Sequence, residues 1–255
     1  MRKFRVLRGV LRAAWLAGLA AATPPAFADG HQFPLPPKDW PKPVDDTVPQ
    51  MFLLGDRIEY QARRGTDARI WDVQGWIGGD YDKLWLKSEG AVEAGRTRDA
   101  EVQALYARRI APFWYLQTGL RYDDKPLPSR TFGVLALQGL APQWFNVEAS
   151  AFLSKDGNAW ARLEAEYELL FTQRLILQPR IETNFAFSRV ESAGVGRGFN
   201  DVEFGLRLRY EIRREFAPYI GVNWNRKLGD TADLFRRGGE DVKNFSIVAG
   251  IRLWY

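Results

Sequence analysis

Glu164, Glu166 and Glu168 are separated by single residues, and Arg162 extends the same spacing upstream. Side chains alternate faces along a β-strand. A strand over 160–170 therefore sets these four charges on one wall, with Ala161, Leu163, Ala165, Tyr167 and Leu169 on the other. Three carboxylates in a row repel one another unless a positive charge offsets them. Arg162, Arg180 or a bound cation could supply that charge, so the row either holds a cation or locks into salt bridges.

The same parity picks out polar walls on other segments. It gives Arg57, Glu59 and Gln61, then Lys83, Lys87 and Glu89, then Glu101, Gln103 and Arg109. Asn146 and Glu148 follow, then Gln178, Arg180, Glu182 and Asn184. Glu203, Arg207, Arg209, Asn223, Asn225 and Arg252 complete the set. A wall carrying both signs at this density predicts ladders of salt bridges. Such charges can serve a substrate, or they can only fill and rigidify the interior of a small barrel.

Several chemistries are excluded. The one histidine, His31, precedes all of these segments, so no Ser-His triad and no histidine general base can form among them. Cysteine is absent, which removes disulfides, thiolate ligands and a cysteine nucleophile. The Gly194-Val195-Gly196-Arg197-Gly198 run lies between strands with no helix expected after it, so it reads as loop and not as a phosphate cradle. The chain is not expected to be an enzyme.

The polar walls must be positioned by strands whose other wall is apolar, and no helical periodicity offers to cover that apolar side. This pattern predicts an all-β fold, an antiparallel transmembrane outer-membrane β-barrel with lipid outside and charge inside. The expected strands are 52–62, 69–77, 82–89, 99–110, 113–122, 131–140, 144–154, 160–170, 174–187, 200–212, 217–227 and 243–255, about twelve in all. Connections such as Ala111-Pro112 and Ala141 to Gln143 are short. Gly90 to Arg98, Ser188 to Phe199 and Leu228 to Val242 are longer and polar. Short periplasmic turns opposite longer external loops characterise outer-membrane barrels. Ala-Pro followed within two residues by an aromatic recurs at 111–114, 141–144 and 217–219, where the rings suit a membrane interface. The last strand places Ile247, Ala249, Ile251, Leu253 and Tyr255 on one face, with an aromatic at the end.

The N-terminus reads as an address. Arg2, Lys3, Arg5, Arg8 and Arg12 precede and enter an apolar stretch to Ala22, and Ala26-Phe27-Ala28 is an A-x-A cleavage pattern. The expectation is a signal peptide over 1–28, a Pro-rich periplasmic leader over 29–51 and a barrel over 52–255. The first 28 residues hold five of the 36 Lys+Arg and none of the 31 Asp+Glu, so the remainder is formally neutral. The basic character of the whole sequence is thus no argument for a nucleic-acid partner. The expected surroundings are outer-membrane lipid.

Asp72 to Gly90, with its Gln74-Gly75-Trp76-Ile77-Gly78-Gly79-Asp80-Tyr81-Asp82 core, resembles the opening strands of the copper resistance protein B family. Ala100 to Tyr106, Arg162 to Tyr167, Leu175 to Arg180, Ala217 to Trp224 and Gly229 to Ala232 continue the resemblance, which spans Phe52 to Tyr255. It implies an outer-membrane role in bacterial copper resistance, with a copper ion bound, sequestered or passed. It also implies periplasmic copper-handling partners, including a multicopper oxidase. Members of the family often carry a Met- and His-rich leader, since thioethers suit Cu(I) and imidazoles Cu(II). Here that region offers only His31 and Met51, which with Glu164 and Glu166 are the metal-ligand candidates. The alternative is a small non-specific channel, or a docking scaffold, that has lost the copper-binding leader.

Overall fold

The structure is a computed structural model and describes residues 48–255. The expected signal peptide, its cleavage site, His31 and nearly all of the leader lie outside the described residues.

The period-two pattern builds a single antiparallel sheet that closes on itself. Its strands are β1 (Gln50–Arg63), β2 (Ala68–Gly78), β3 (Asp82–Glu93), β4 (Arg96–Ala111), β5 (Trp114–Lys125) and β6 (Arg130–Ala141). They continue as β7 (Phe145–Ser154), β8 (Ala159–Glu166), β9 (Leu169–Leu170), β10 (Leu175–Ala186), β11 (Gly198–Tyr210), β12 (Phe216–Lys227) and β13 (Lys243–Trp254). Apart from β8 and β9, each strand pairs with its neighbours in sequence, and β13 pairs with β1 to close the ring. β8 and β9 both pair with β10 and form one stave interrupted at Tyr167-Glu168, so the thirteen strands make twelve staves. Closure leaves no sheet edge, which a membrane-spanning sheet requires.

The alternation sorts as expected. Leu84, Leu86, Val102, Leu120, Leu135, Leu163, Ile220 and Ile247 are exposed on the outside, the surface that suits lipid. Arg57, Glu59, Lys87, Arg180, Arg207 and Arg209 are buried inside.

Five details differ from the sequence reading, the first being the break at Tyr167-Glu168 in the strand expected over 160–170. β1 begins at Gln50, so Met51 belongs to the barrel; it pairs with Ile77 and is exposed on the rim. A register shift between Gly55 and Arg57 inserts Asp56 as an extra residue. This bulge keeps Leu54 buried below Arg57 and lets Asp56 reach Arg252 inside the barrel. Gly90 to Arg98 is not a long loop. β3 and β4 run on to a tight hairpin in which Ala94 (φ 50°) and Gly95 (φ 75°) are left-handed, as a two-residue hairpin demands. Finally, the connection after β12 holds a helix, α1 (Gly229–Arg237).

Asp230 in the first turn of α1 and Arg236 and Arg237 in the last complement its dipole. Thr231 and Ala232 are buried. Thr231 Oγ1 accepts from the Gly196 N–H at 2.8 Å. With its amide nitrogen turned inward, Asn200 also donates to Thr231 and to the Gly196 carbonyl at 2.8 Å. α1 is thereby tied to the loop between β10 and β11. The longest connections, 187–197 and 228–242, thus lie together at one end of the barrel, above β10 to β13.

Candidate functional site: the barrel lumen

The inward side chains of β8, β10, β11, β1 and β2 form a charged wall. Arg180 on β10 is its hub. It pairs with Glu164 at 2.7 Å, Glu166 at 3.3 Å, Glu182 at 2.6 Å and Glu203 at 3.5 Å. The repulsion within the Glu164-Glu166 row is therefore answered by Arg180, which stands on β10 directly opposite Glu166. Glu168 has left that row with the break in the stave and pairs with Arg209 at 2.8 Å. Arg57 bridges Asp72 (3.1 Å) and Glu203 (3.7 Å), linking β1 to β2 and β11. Arg207 and Tyr219 both donate to Glu59.

Other pairs cross the lumen. Lys87 on β3 reaches Glu148 on β7 at 2.6 Å, although three strands separate them. Arg162 on β8 reaches Glu101 on β4 at 3.1 Å and Glu89 on β3 at 3.4 Å. These ties stretch across the middle of the barrel and fill it. A small cavity remains among Asp72, Gln74, Lys87, Glu89, Glu148, Arg162 and Glu164.

The wall of β4 to β7 differs. Leu105, Ala107, Phe132, Val134, Ala136 and Phe152 point inward, are buried and pack with Trp85 from β3 as one cluster. Arg121 covers this patch, lying 4.6 Å from the Phe152 ring and 5.6 Å from the Phe132 ring. It also pairs with Glu101 and Asp123, each at 2.6 Å. Trp160 packs against Phe132 with ring centroids 4.7 Å apart and the planes tilted by 46°.

An aromatic shelf follows toward the end that carries both termini of the barrel. Trp254, Phe52, Trp76, Trp85 and Tyr115 make consecutive ring contacts with centroids 6.0 to 6.2 Å apart. Lys83 Nζ sits 3.6 Å from the Trp76 ring centre and donates to Tyr115 Oη at 3.0 Å.

Of the residues chosen from sequence, Glu89, Glu101, Arg162, Glu164, Glu166, Arg180, Glu182 and Glu203 meet in one network. Lys87 and Glu148 form the tie beside it. Lys83 stands apart on the aromatic shelf. Arg207 and Arg209 hold separate pairs, and Asn223 is buried on β12 beyond them. Glu164 and Glu166 are both engaged by Arg180, while Met51 is on the outside of the barrel. Among the described residues no group of three or more His, Cys, Asp or Glu is arranged to hold a metal ion.

The sequence reading missed Asp56, Asp72, Arg121, Asp123, Asp201 and Lys227. Asp72 had a visible signal, since Asp72 and Gln74 alternate with Trp71, Val73 and Gly75. Asp201 and Lys227, paired at 2.9 Å, had the parity of Glu203 and Asn225. Asp56 had none, because a bulge overrides parity.

This architecture defines a porin-type β-barrel with a lumen filled by its own side chains. Two solved structures share the fold: a NanC porin (TM-score 0.55, 13% identity, 80% of this chain and 99% of that one) and a KdgM porin (TM-score 0.50, 11% identity, 80% and 98%). At such identity they speak for the fold alone. Residues 50–255 match the family model described as copper resistance protein B precursor (CopB). A copper resistance protein B of Escherichia coli is 46% identical over 212 residues, 83% of this chain and 72% of the relative. A copper resistance protein B homolog of Pseudomonas syringae pv. tomato matches to the same extent. The chain belongs to the copper resistance protein B family.

Proposed function

We propose that this chain is an outer-membrane component of bacterial copper resistance, exported by a signal peptide cleaved after Ala28, with copper ions as its cargo. Family membership is the observation that carries this reading. The porin-like fold, the apolar outer face and the gathering of the long connections at one end support an outer-membrane position with both barrel termini periplasmic. The chain acts without catalysis, as a binder or conduit.

The donor set shapes the copper chemistry. The lumen offers carboxylate and amide oxygens, which suit Cu(II) and harder ions better than Cu(I). The carboxylates of its central network are already engaged by arginine or lysine. A copper ion entering there competes with Arg162, Arg180 and Lys87 for its ligands. That competition favours transient binding or passage over storage. The filled midsection also supports a second reading, a docking scaffold that recruits periplasmic copper-handling proteins, among them a multicopper oxidase.

The test is copper tolerance and cell-associated copper in a deletion strain and its complemented parent, with zinc as control. Copper-selective sensitivity restored by the gene is the expected result. Unchanged copper tolerance would overturn the copper role.

A further inference from the structure

At the end of the barrel that carries the long connections, positive charge gathers on the outer side of β12, β13 and β2 and in the turn that follows β1. Arg226 and Lys243 are direct cross-strand partners on β12 and β13. β13 adjoins β1, which runs into Arg64, and β2 carries Arg69 opposite Tyr60. All four side chains are exposed. None forms an ion pair with a described residue. Elsewhere on the same rim Arg98 pairs with Glu93 at 3.5 Å and Lys125 with Asp124 at 3.7 Å, while Arg96, Lys155 and Arg197 are exposed without an ion pair to a described residue but do not stand side by side on neighbouring staves. The nearest acid in the β1–β2 turn, Asp67, is occupied by the Tyr60 hydroxyl and by the Arg63 N–H at 3.1 Å.

Beside and below these cations, on the same outward face, lie Tyr60, directly opposite Arg69, and Trp71, Trp224, Phe245 and Ile247. Aromatic rings favour the membrane interface, and long basic side chains just beyond it extend toward headgroups. The arrangement is an apolar belt capped by four unpaired cations on one sector of the rim.

We propose that this rim binds the phosphates of a bisphosphorylated outer-leaflet glycolipid, lipid A, with Arg64, Arg69, Arg226 and Lys243 supplying the contacts. The inference rests on the outward orientation argued above. It is independent of copper. Acyl chains would lie on the belt formed by Phe245, Ile247 and Trp224. Fork-shaped guanidinium groups and a mobile ammonium both suit phosphate oxygens. A basic side chain near an anionic lipid surface contributes about fivefold in affinity.

The test titrates the mature protein, purified from membranes in detergent, with lipid A and reads bound lipid by native mass spectrometry. The R64Q/R69Q/R226Q/K243Q variant is expected to bind at least tenfold more weakly than the wild type, and R226Q/K243Q to fall between them. R236Q/R237Q, which alters basic residues of α1, is expected to match the wild type. Heat-dependent gel mobility reports whether each barrel is folded, and the double variant carries the test if the quadruple one is not. Equal binding by wild type and the rim variants would overturn the proposal. So would equal binding of dephosphorylated lipid A. Preference for phosphatidylglycerol would overturn it by placing the rim against the other leaflet. Full displacement by a tenfold excess of inorganic phosphate would overturn it as a free-phosphate site. A change in copper tolerance bears only on the earlier reading.

Discussion

On the wall built by β8, β10, β11, β1 and β2, Arg180 faces four carboxylates. On the wall of β4 to β7, Leu105, Phe132, Val134 and Phe152 pack side by side. Both walls face inward and both are buried, yet they are held by different forces. The apolar cluster gains by leaving water and is indifferent to which neighbour fills the gap. The charged wall gains only if each ion keeps its partner, because desolvating two charges costs about as much as their attraction returns. The first wall can seal a lumen; the second can seal it and also be opened by whatever competes for its ions.

Removing the hub is the harshest way to expose the difference. Arg180→Ala leaves Glu164, Glu166 and Glu182 facing one another in a buried site. Breaking a buried pair by deleting one partner costs about 3–5 kcal/mol, and a loss of this size is expected in urea unfolding from lipid vesicles. A loss under about 1 kcal/mol, the range of exposed pairs, would mean that the wall is wet and the comparison of the two walls fails.

The cross-lumen ties sharpen the comparison through function. Lys87→Gln with Arg162→Gln frees Glu89 and Glu148, leaves Glu101 to Arg121 alone, and cuts the links between β3/β4 and β7/β8. Single-channel conductance in planar bilayers is expected to rise several-fold over the parent and to become cation-selective. Phe152→Ala, on the apolar wall, is expected to leave selectivity unchanged. Equal conductance in both variants would show that the ion pairs do not close the lumen.

The two walls were also unequally legible from sequence. The charged parity of 160–166 and 174–187 followed from alternation alone, and the structure places Arg162, Glu164, Glu166, Gln178, Arg180, Glu182 and Asn184 on one inner wall; the break at Tyr167-Glu168 did not follow from it. β6 gave no such signal. Thr131, Gly133 and Leu135 face out while Phe132, Val134 and Ala136 face in, so hydropathy does not alternate. Parity also assigns a face but not a partner. That Lys87 meets Glu148 depends on barrel diameter and stagger, which no local pattern encodes. α1 was missed because its nine residues, set in a polar connection, are fewer than a helical period needs to stand out.

The finest comparison uses one residue type on both walls. Gln178 on β10 donates to Glu166 at 3.1 Å and accepts from Arg209 at 2.9 Å, so both of its ends serve ions. Gln117 on β5 donates to Gln138 at 2.7 Å, while its Oε1 is buried without a described partner. Gln178→Leu strips a carboxylate and an arginine of hydrogen bonds they cannot replace, and about 1–3 kcal/mol of destabilisation is expected. Gln117→Leu removes an unmet acceptor and adds apolar surface beside Ala107 and Ala136. Its expected effect in the same unfolding assay is under about 1 kcal/mol, because the hydrogen bond lost is offset by the unsatisfied group removed. If the two substitutions cost the same, polarity rather than partnership would govern the lumen. The distinction between a wall that must keep its partners and a wall that need only be filled would then disappear.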